Sequence, residues 1–181
     1  MIERFAGWAR PLLELPVVRK TRRNHGLEHA TIHVLSSRVK GLQMAGRSDA
    51  GGFVLLGEAP TESIEAAVRD ALRRMKHGEH GLAVHPNCGT NLLTTGFMTT
   101  TTAMIGFAGK SRRDAWERIP LVLFAVILAI IMSQPLGTSL QKYITTDGDP
   151  GDLEIVQITR GTMRSPFGGA IPYHRVKTRS T

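Results

Sequence analysis

The sequence predicts an α+β protein: a small N-terminal helix and strand domain, a two-helix membrane hairpin and a short β-rich C-terminal tail. Three observations predict it. Residues 24–91 run through helical and strand periods in the order helix, strand, strand, helix, strand. Apolar residues concentrate between Leu92 and Leu136, a partition that the average mean hydropathy of -0.08 conceals. After Gly137 the chain turns polar, and Leu153 to Thr159 alternates as a strand does. A length of 181 residues allows one ordinary domain, or a small domain plus membrane anchors. The organisation that follows is a basic interfacial segment over 1–23, an α+β domain over 24–91, the hairpin over 92–136 and the tail over 137–181.

Taken in order, Ile2 to Val18 mixes Phe5, Trp8, Leu12, Leu13, Leu15 and Val17 with Arg4, Arg10 and two prolines. It is too broken to span a bilayer. It reads as a short interfacial helix ending near Leu15-Pro16, or as a helix packed on the protein's own core. No cleavable signal peptide is visible there, because Arg4, Arg10, Pro11, Glu14 and Pro16 interrupt any apolar core. The basic run Arg19 to Arg23 follows, and Asn24 is placed to cap a helix reaching about Arg38, with Gly41 ending it. Leu42 to Gly46 and Gly52 to Leu56 are strand candidates around a turn at Arg47 to Gly51. Glu62 to Lys76 has the clearest helical period of the chain, with Thr61 as its expected cap: Ile64, Ala67, Val68, Ala71, Leu72 and Met75 make one apolar stripe. Gly78 closes that helix, and Leu82-Ala83-Val84 is expected as a third strand.

From Leu92 to Ala108 there is no charged residue, and Ile119 to Leu136 is almost pure hydrocarbon, just long enough for a spanning helix. The first segment carries Thr94, Thr95 and Thr99 to Thr102, whose hydroxyls bond back to the helix backbone and let a partner helix approach closely. In the tail, Leu153 to Thr159 and Ile171 to Val176 are strand candidates separated by Ser165 to Gly169, and they fit best on the edge of the N-terminal sheet.

A formal charge of +8 would suit either nucleic acid or anionic lipid. Position decides. The Lys and Arg residues flank apolar stretches instead of gathering on one face, which argues for membrane lipids as partners and against nucleic acid. Thirteen of the 23 basic residues precede Leu92, so the N-terminal domain and tail are expected on the cytoplasmic side of the cell (inner or plasma) membrane. Lys110, Arg112, Arg113 and Arg118 in the connecting loop oppose that orientation, and a re-entrant first segment would remove the conflict. The single cysteine, Cys88, rules out an internal disulfide and fits a reducing compartment.

The chemistry centres on Asn24 to His33. His25 and His29 stand one helical turn apart with Glu28 beside them, spelling H-x-x-E-H. This is the inverted zincin pattern, in which two imidazoles hold a metal and the carboxylate accepts a proton from water. A helix supplies only two ligands this way, and His85-Pro86-Asn87-Cys88 is the obvious source of a third. Cys88 reads as ligand, as a thiol nucleophile activated by His85, or as a small buried hydrophobe. His85 reads as ligand or as a ring that orients one. His33 fits a core position better than ligation, and His77, in H-x-x-H spacing with His80, is explained by a helix C-terminus. His174 has no partner in sequence. Gly109-Lys110-Ser111 lacks the upstream glycine of a phosphate loop, since Met104 stands there.

His25-Gly26-x-Glu28-His29 and the later His85-Pro86-x-Cys88-Gly89-Thr90 together resemble the signature of the YqhQ-like bacterial membrane proteins, a domain of unknown function described as predicted metal-dependent enzymes. The resemblance covers roughly Arg23 to Phe107 and implies that His25, Glu28, His29, His85 and Cys88 form a metal site. The expectation is a membrane-anchored hydrolase. In it His25, His29 and Cys88 (or His85) bind zinc, with iron or manganese as alternatives, and Glu28 serves as general base. A juxtamembrane peptide or a lipid-linked molecule would be its substrate. The alternative is a non-enzymatic scaffold or assembly factor with a closed structural site.

Overall fold

The computed structural model describes residues 2–164 and 168–181. Among these residues six α-helices and four strands follow the order α1 (Ile2–Trp8), α2 (Arg10–Leu13), α3 (Pro16–Arg38), β1 (Ala45–Asp49), β2 (Gly52–Leu56), α4 (Thr61–Lys76), α5 (Gly89–Phe107), α6 (Arg112–Leu140), β3 (Glu154–Arg164) and β4 (Ala170–Arg179). A 3-10 turn, His80–Ala83, precedes α5, and a π turn, Gln141–Thr145, follows α6. The chain divides into two compact units, one built from Met1–His85 with Lys142–Thr181 and the other from Pro86–Gln141.

The first unit is a two-layer α+β structure. Its antiparallel sheet has the order β1-β2-β4-β3, so the polar tail completes the sheet begun before residue 60. Alternation along β2 and β4 sends Phe53, Leu55, His174 and Val176 to one buried face, where Phe53 stands opposite Val176 and Leu55 opposite His174. Against that face α4 lays the stripe Ile64, Ala67, Val68, Ala71, Leu72 and Met75, and α3 adds Leu27, Ala30, Val34 and Leu35. The apolar spacing that marked α4 in the sequence is therefore the seam it buries.

Several boundaries differ from the sequence reading. The histidine-bearing helix begins at Pro16, eight residues before Asn24, with proline in its first turn and no side-chain cap. Asn24 lies inside it, fully buried. Its Nδ2 donates to the Asp49 carbonyl at 2.8 Å and its Oδ1 accepts from the Thr178 hydroxyl at 2.6 Å. Cap and buried pin demand the same short amide side chain, which is why composition misassigned it. Thr61 likewise does not cap α4; its hydroxyl meets His174 Nε2 at 3.1 Å. The first strand of the hairpin is Ala45–Asp49, so the turn shrinks to Ala50-Gly51. Leu82-Ala83-Val84 forms no strand: Ala83 closes the 3-10 turn and only Val84 is extended. The expected turn at Ser165 to Gly169 falls partly on 165–167, outside the described residues.

The second unit is a pair of packed helices. Thr95 and Ser133 share a hydrogen bond of 2.6 Å between α5 and α6, and Gln141 Nε2 donates to Asn91 Oδ1 at 2.8 Å. Hydroxyls also bond back along α5, Thr94 to the Thr90 carbonyl and Thr99 to that of Thr95, as the threonine run implied. The stretch Arg113–Thr145, whose most apolar 18-residue window has mean hydropathy 2.4, is long and apolar enough to cross a membrane; among the described residues no other helix meets that test. Leu121, Leu123, Phe124, Ile127, Ile131 and Met132 on α6 are exposed.

Candidate metal centre

Helix α3 carries His25, Glu28, His29 and His33 on adjacent turns, and the chain after the 3-10 turn brings His85 to them. The rings of His25 and His29 are 4.4 Å apart between centroids, those of His29 and His85 5.8 Å, and those of His33 and His85 4.7 Å. His25, His29 and Cys88 each offer one ligand atom within 4.8 Å of the others. His85 lies beside the triad and is not one of its three atoms.

Backbone carbonyls fix the tautomers. His29 Nδ1 lies 2.7 Å from the Ala83 carbonyl oxygen and His25 Nδ1 2.9 Å from that of Thr145. A carbonyl only accepts, so each Nδ1 carries the proton and each Nε2 presents its lone pair, as a metal-binding imidazole does. His33 is held the other way, with Nε2 donating to the Val84 carbonyl at 2.8 Å. That bond and its half-buried position fit the structural reading of His33. Burial, reinforced by His33 and His29, pushes the His85 imidazole down to about 4, so it is neutral at physiological pH. Cys88 is the N-cap of α5, its sulfur accepting the Thr90 N–H at 3.4 Å, where the helix dipole favours an electron-rich ligand.

Two glycines make the site possible. A Cβ on Gly26 would stand 2.2 Å from the Asp147 carbonyl oxygen, so only glycine lets the returning segment lie against α3. There Asp147 N–H donates to the Arg22 carbonyl at 3.0 Å and the Arg22 guanidinium donates to the Thr146 carbonyl at 3.1 Å, which sets Thr145 over His25. A Cβ on Gly46 would fall 2.0 Å from Glu28 Oε1. The glutamate, 4% exposed, therefore packs its carboxylate onto β1, where the Ser48 hydroxyl donates to Oε2 at 2.5 Å. Burial raises the Glu28 carboxyl above the ordinary range; the Ser48 bond and the nearby His25 pull in the opposite direction. Composition and spacing identified the imidazoles, Glu28 and Cys88. They missed Ser48, Gly46 and the carbonyls of Ala83 and Thr145, and only the glycine-serine pairing at 46–48 carried any trace in sequence.

Away from this centre, His77 Nδ1 bonds the Arg73 carbonyl at 2.7 Å at the end of α4, as its position implied. His174 is buried in the sheet.

The chain belongs to the DUF6391 family. The match spans residues 20–158 and so takes in α3 from Lys20 onward, the hairpin β1–β2, α4, α5 and α6; the family is a domain of unknown function. An uncharacterised protein of Picosynechococcus sp. (strain ATCC 27264 / PCC 7002 / PR-6) is 31% identical over 167 residues, covering 87% of this chain and 78% of its own length. No solved structure matches the chain. The family found is DUF6391, and the YqhQ-like resemblance of the two motifs stands outside that match.

Proposed function

We propose that this DUF6391 protein is a membrane-anchored, metal-dependent hydrolase, with zinc as the ion and iron or manganese as alternatives. The observation that carries the reading is the donor set: two imidazoles with their protons committed to backbone carbonyls, and a cysteine sulfur, within 4.8 Å. Three protein ligands of this kind leave a fourth position open, the arrangement of catalytic sites as opposed to structural ones. A zinc ion held there would supply Lewis acidity to an attacking water and to a substrate carbonyl.

The chain's own residues do the rest. His25 is half-buried, and His29 is buried. Glu28 accepts and returns a proton, and its burial moves its carboxyl towards the range where a general base works near neutral pH. Ser48 holds one carboxylate oxygen, so the side chain keeps one orientation through the exchange. The apolar α6 supports anchorage in the cell membrane, and the basic residues before Leu92 support a cytoplasmic head. A head anchored in this way suits a juxtamembrane peptide or a lipid-linked substrate. The likeness of the two motifs to those of the YqhQ-like proteins supports a shared metal chemistry.

One observation favours a second reading. His85, neutral and one ring from His29, is poised to become a fourth ligand, which would close the site and make the protein a scaffold or assembly factor. Metal analysis of the purified full chain tests both. Stoichiometric zinc, iron or manganese is expected in wild type and its loss in His25→Ala, His29→Ala and Cys88→Ser; no ion in wild type, or one that survives all three changes, overturns both readings. Glu28→Gln then separates them: it keeps the ion in either case and abolishes hydrolysis of model peptide and ester substrates only in the enzyme.

A further inference from the structure

Helices α1 and α2 bury no residue. Ile2, Ala6, Ala9 and Leu13 are half-buried, and beside them runs a second stripe, Phe5, Trp8, Leu12 and Leu15, spaced by three, four and three residues. That second stripe faces outward: Phe5 is 55% exposed, Trp8 80% and Leu12 63%. Four large apolar residues on one exposed line, two of them aromatic, are costly in water, since a buried aromatic ring removes about 150–250 Å². Arg4 and Arg10 flank the stripe, both exposed and neither in an ion pair among the described residues, while the exposed Glu3 and Glu14 bring the net charge of the segment to zero and Glu14 lies 3.9 Å from Arg19. Pro11 and these charges make the segment too short and too interrupted to cross a bilayer.

We infer that residues 2–15 form an in-plane arm that seats Phe5, Trp8, Leu12 and Leu15 in the headgroup region of a bilayer, with Arg4 and Arg10 on anionic phospholipid. Amphipathic and aromatic, with Arg4 and Arg10 balanced by Glu3 and Glu14, the arm fits an interface and not a second protein: tryptophan favours the wet boundary of the hydrocarbon, and exposed guanidinium groups favour phosphate. The arm rests on the membrane part of the reading above and is independent of the metal centre. It brings the N-terminal end of α3, and so the histidine helix, to the membrane surface.

The chain has two tryptophans, Trp8 and Trp116, which allows the arm and α6 to be read separately. The full chain, as Trp116→Phe and as Trp8→Phe, is reconstituted into phosphatidylcholine vesicles with and without phosphatidylglycerol, each containing brominated lipid. Trp8 fluorescence is expected to shift to the blue and to be quenched most by bromine near the headgroup. The quenching should rise with phosphatidylglycerol and lose that rise in R4Q/R10Q. Trp8 left unquenched while Trp116 is quenched overturns the arm and leaves α6 in the membrane. A blue shift without lipid quenching means that protein covers the stripe, and overturns the arm as well. Quenching of neither residue overturns the membrane reading itself, and quenching indifferent to phosphatidylglycerol and to R4Q/R10Q overturns the anionic component.

Discussion

Replacing Gly46 with alanine isolates the contact that positions Glu28. The new Cβ would stand 2.0 Å from Oε1, 2.3 Å from Cδ and 2.7 Å from Cγ of the glutamate. Non-bonded carbon and oxygen do not approach so closely, so the carboxylate must swing by about an ångström or more and leave the Ser48 hydroxyl, now 2.5 Å away. Loss of a hydrogen bond to a charged group and overpacking of a buried site each cost about 1–3 kcal/mol. Taken together, with partial relaxation, the expected loss is about 2–3 kcal/mol, roughly 5–10 °C in Tm for a unit of this size. Gly46 has no positive φ, so alanine is free of backbone strain there. In a Glu28→Ala background the same substitution should therefore be neutral, or stabilising by about 0.4–1 kcal/mol through the unfolded chain. Thermal unfolding of the four proteins of this cycle in detergent, followed by circular dichroism, measures the coupling. An equal cost of Gly46→Ala with and without the Glu28 side chain would refute the assignment.

The remaining predictions concern what holds the site in place. Asn24→Ala removes both bonds tying α3 to Asp49 and Thr178 and should destabilise the first unit by about 2–4 kcal/mol, with Asn24→Asp recovering at most the Thr178 bond; denaturant midpoints read this directly. His174 is pushed below its ordinary pKa, first by burial and then by Arg160, with Glu58 opposing. Its folded value thus lies below its unfolded one, so its contribution is present above about pH 6.5 and is lost as pH falls through the folded value. Melting curves at a series of pH values should show wild type losing more stability on acidification than His174→Gln, and parallel curves would contradict this. In the helix pair, if the proposed membrane anchorage holds, a double-mutant cycle on Thr95→Val and Ser133→Ala should return about 0.6 kcal/mol, and a value near zero would remove that bond from the account.

Local periodicity was enough for the elements that bury one regular face. α4 ends at Lys76 as expected because its apolar stripe is complete in itself, and the apolar run after Ile119 could only be a long helix. Residues that serve a distant partner misled the same reasoning: Asn24 and Thr61 have the chemistry of caps, yet Asp49, Thr178 and His174 claim their side chains. The Leu82-Ala83-Val84 segment looked like a strand by composition, whereas its role is to present the carbonyls of Ala83 and Val84 to His29 and His33.

By itself the sequence determined the donor types: two imidazoles and a carboxylate one turn apart, and a cysteine three residues beyond a histidine. Spacing on a helix is a covalent property, so it survives any fold. Only tertiary structure decided which nitrogen of each ring faces its neighbours, because that follows from the carbonyls of Ala83, Val84 and Thr145, and every residue owns a carbonyl. It also decided that Glu28 is buried against Gly46 and Ser48, since the charge balance of a carboxylate is set by what packs around it, which no spacing encodes.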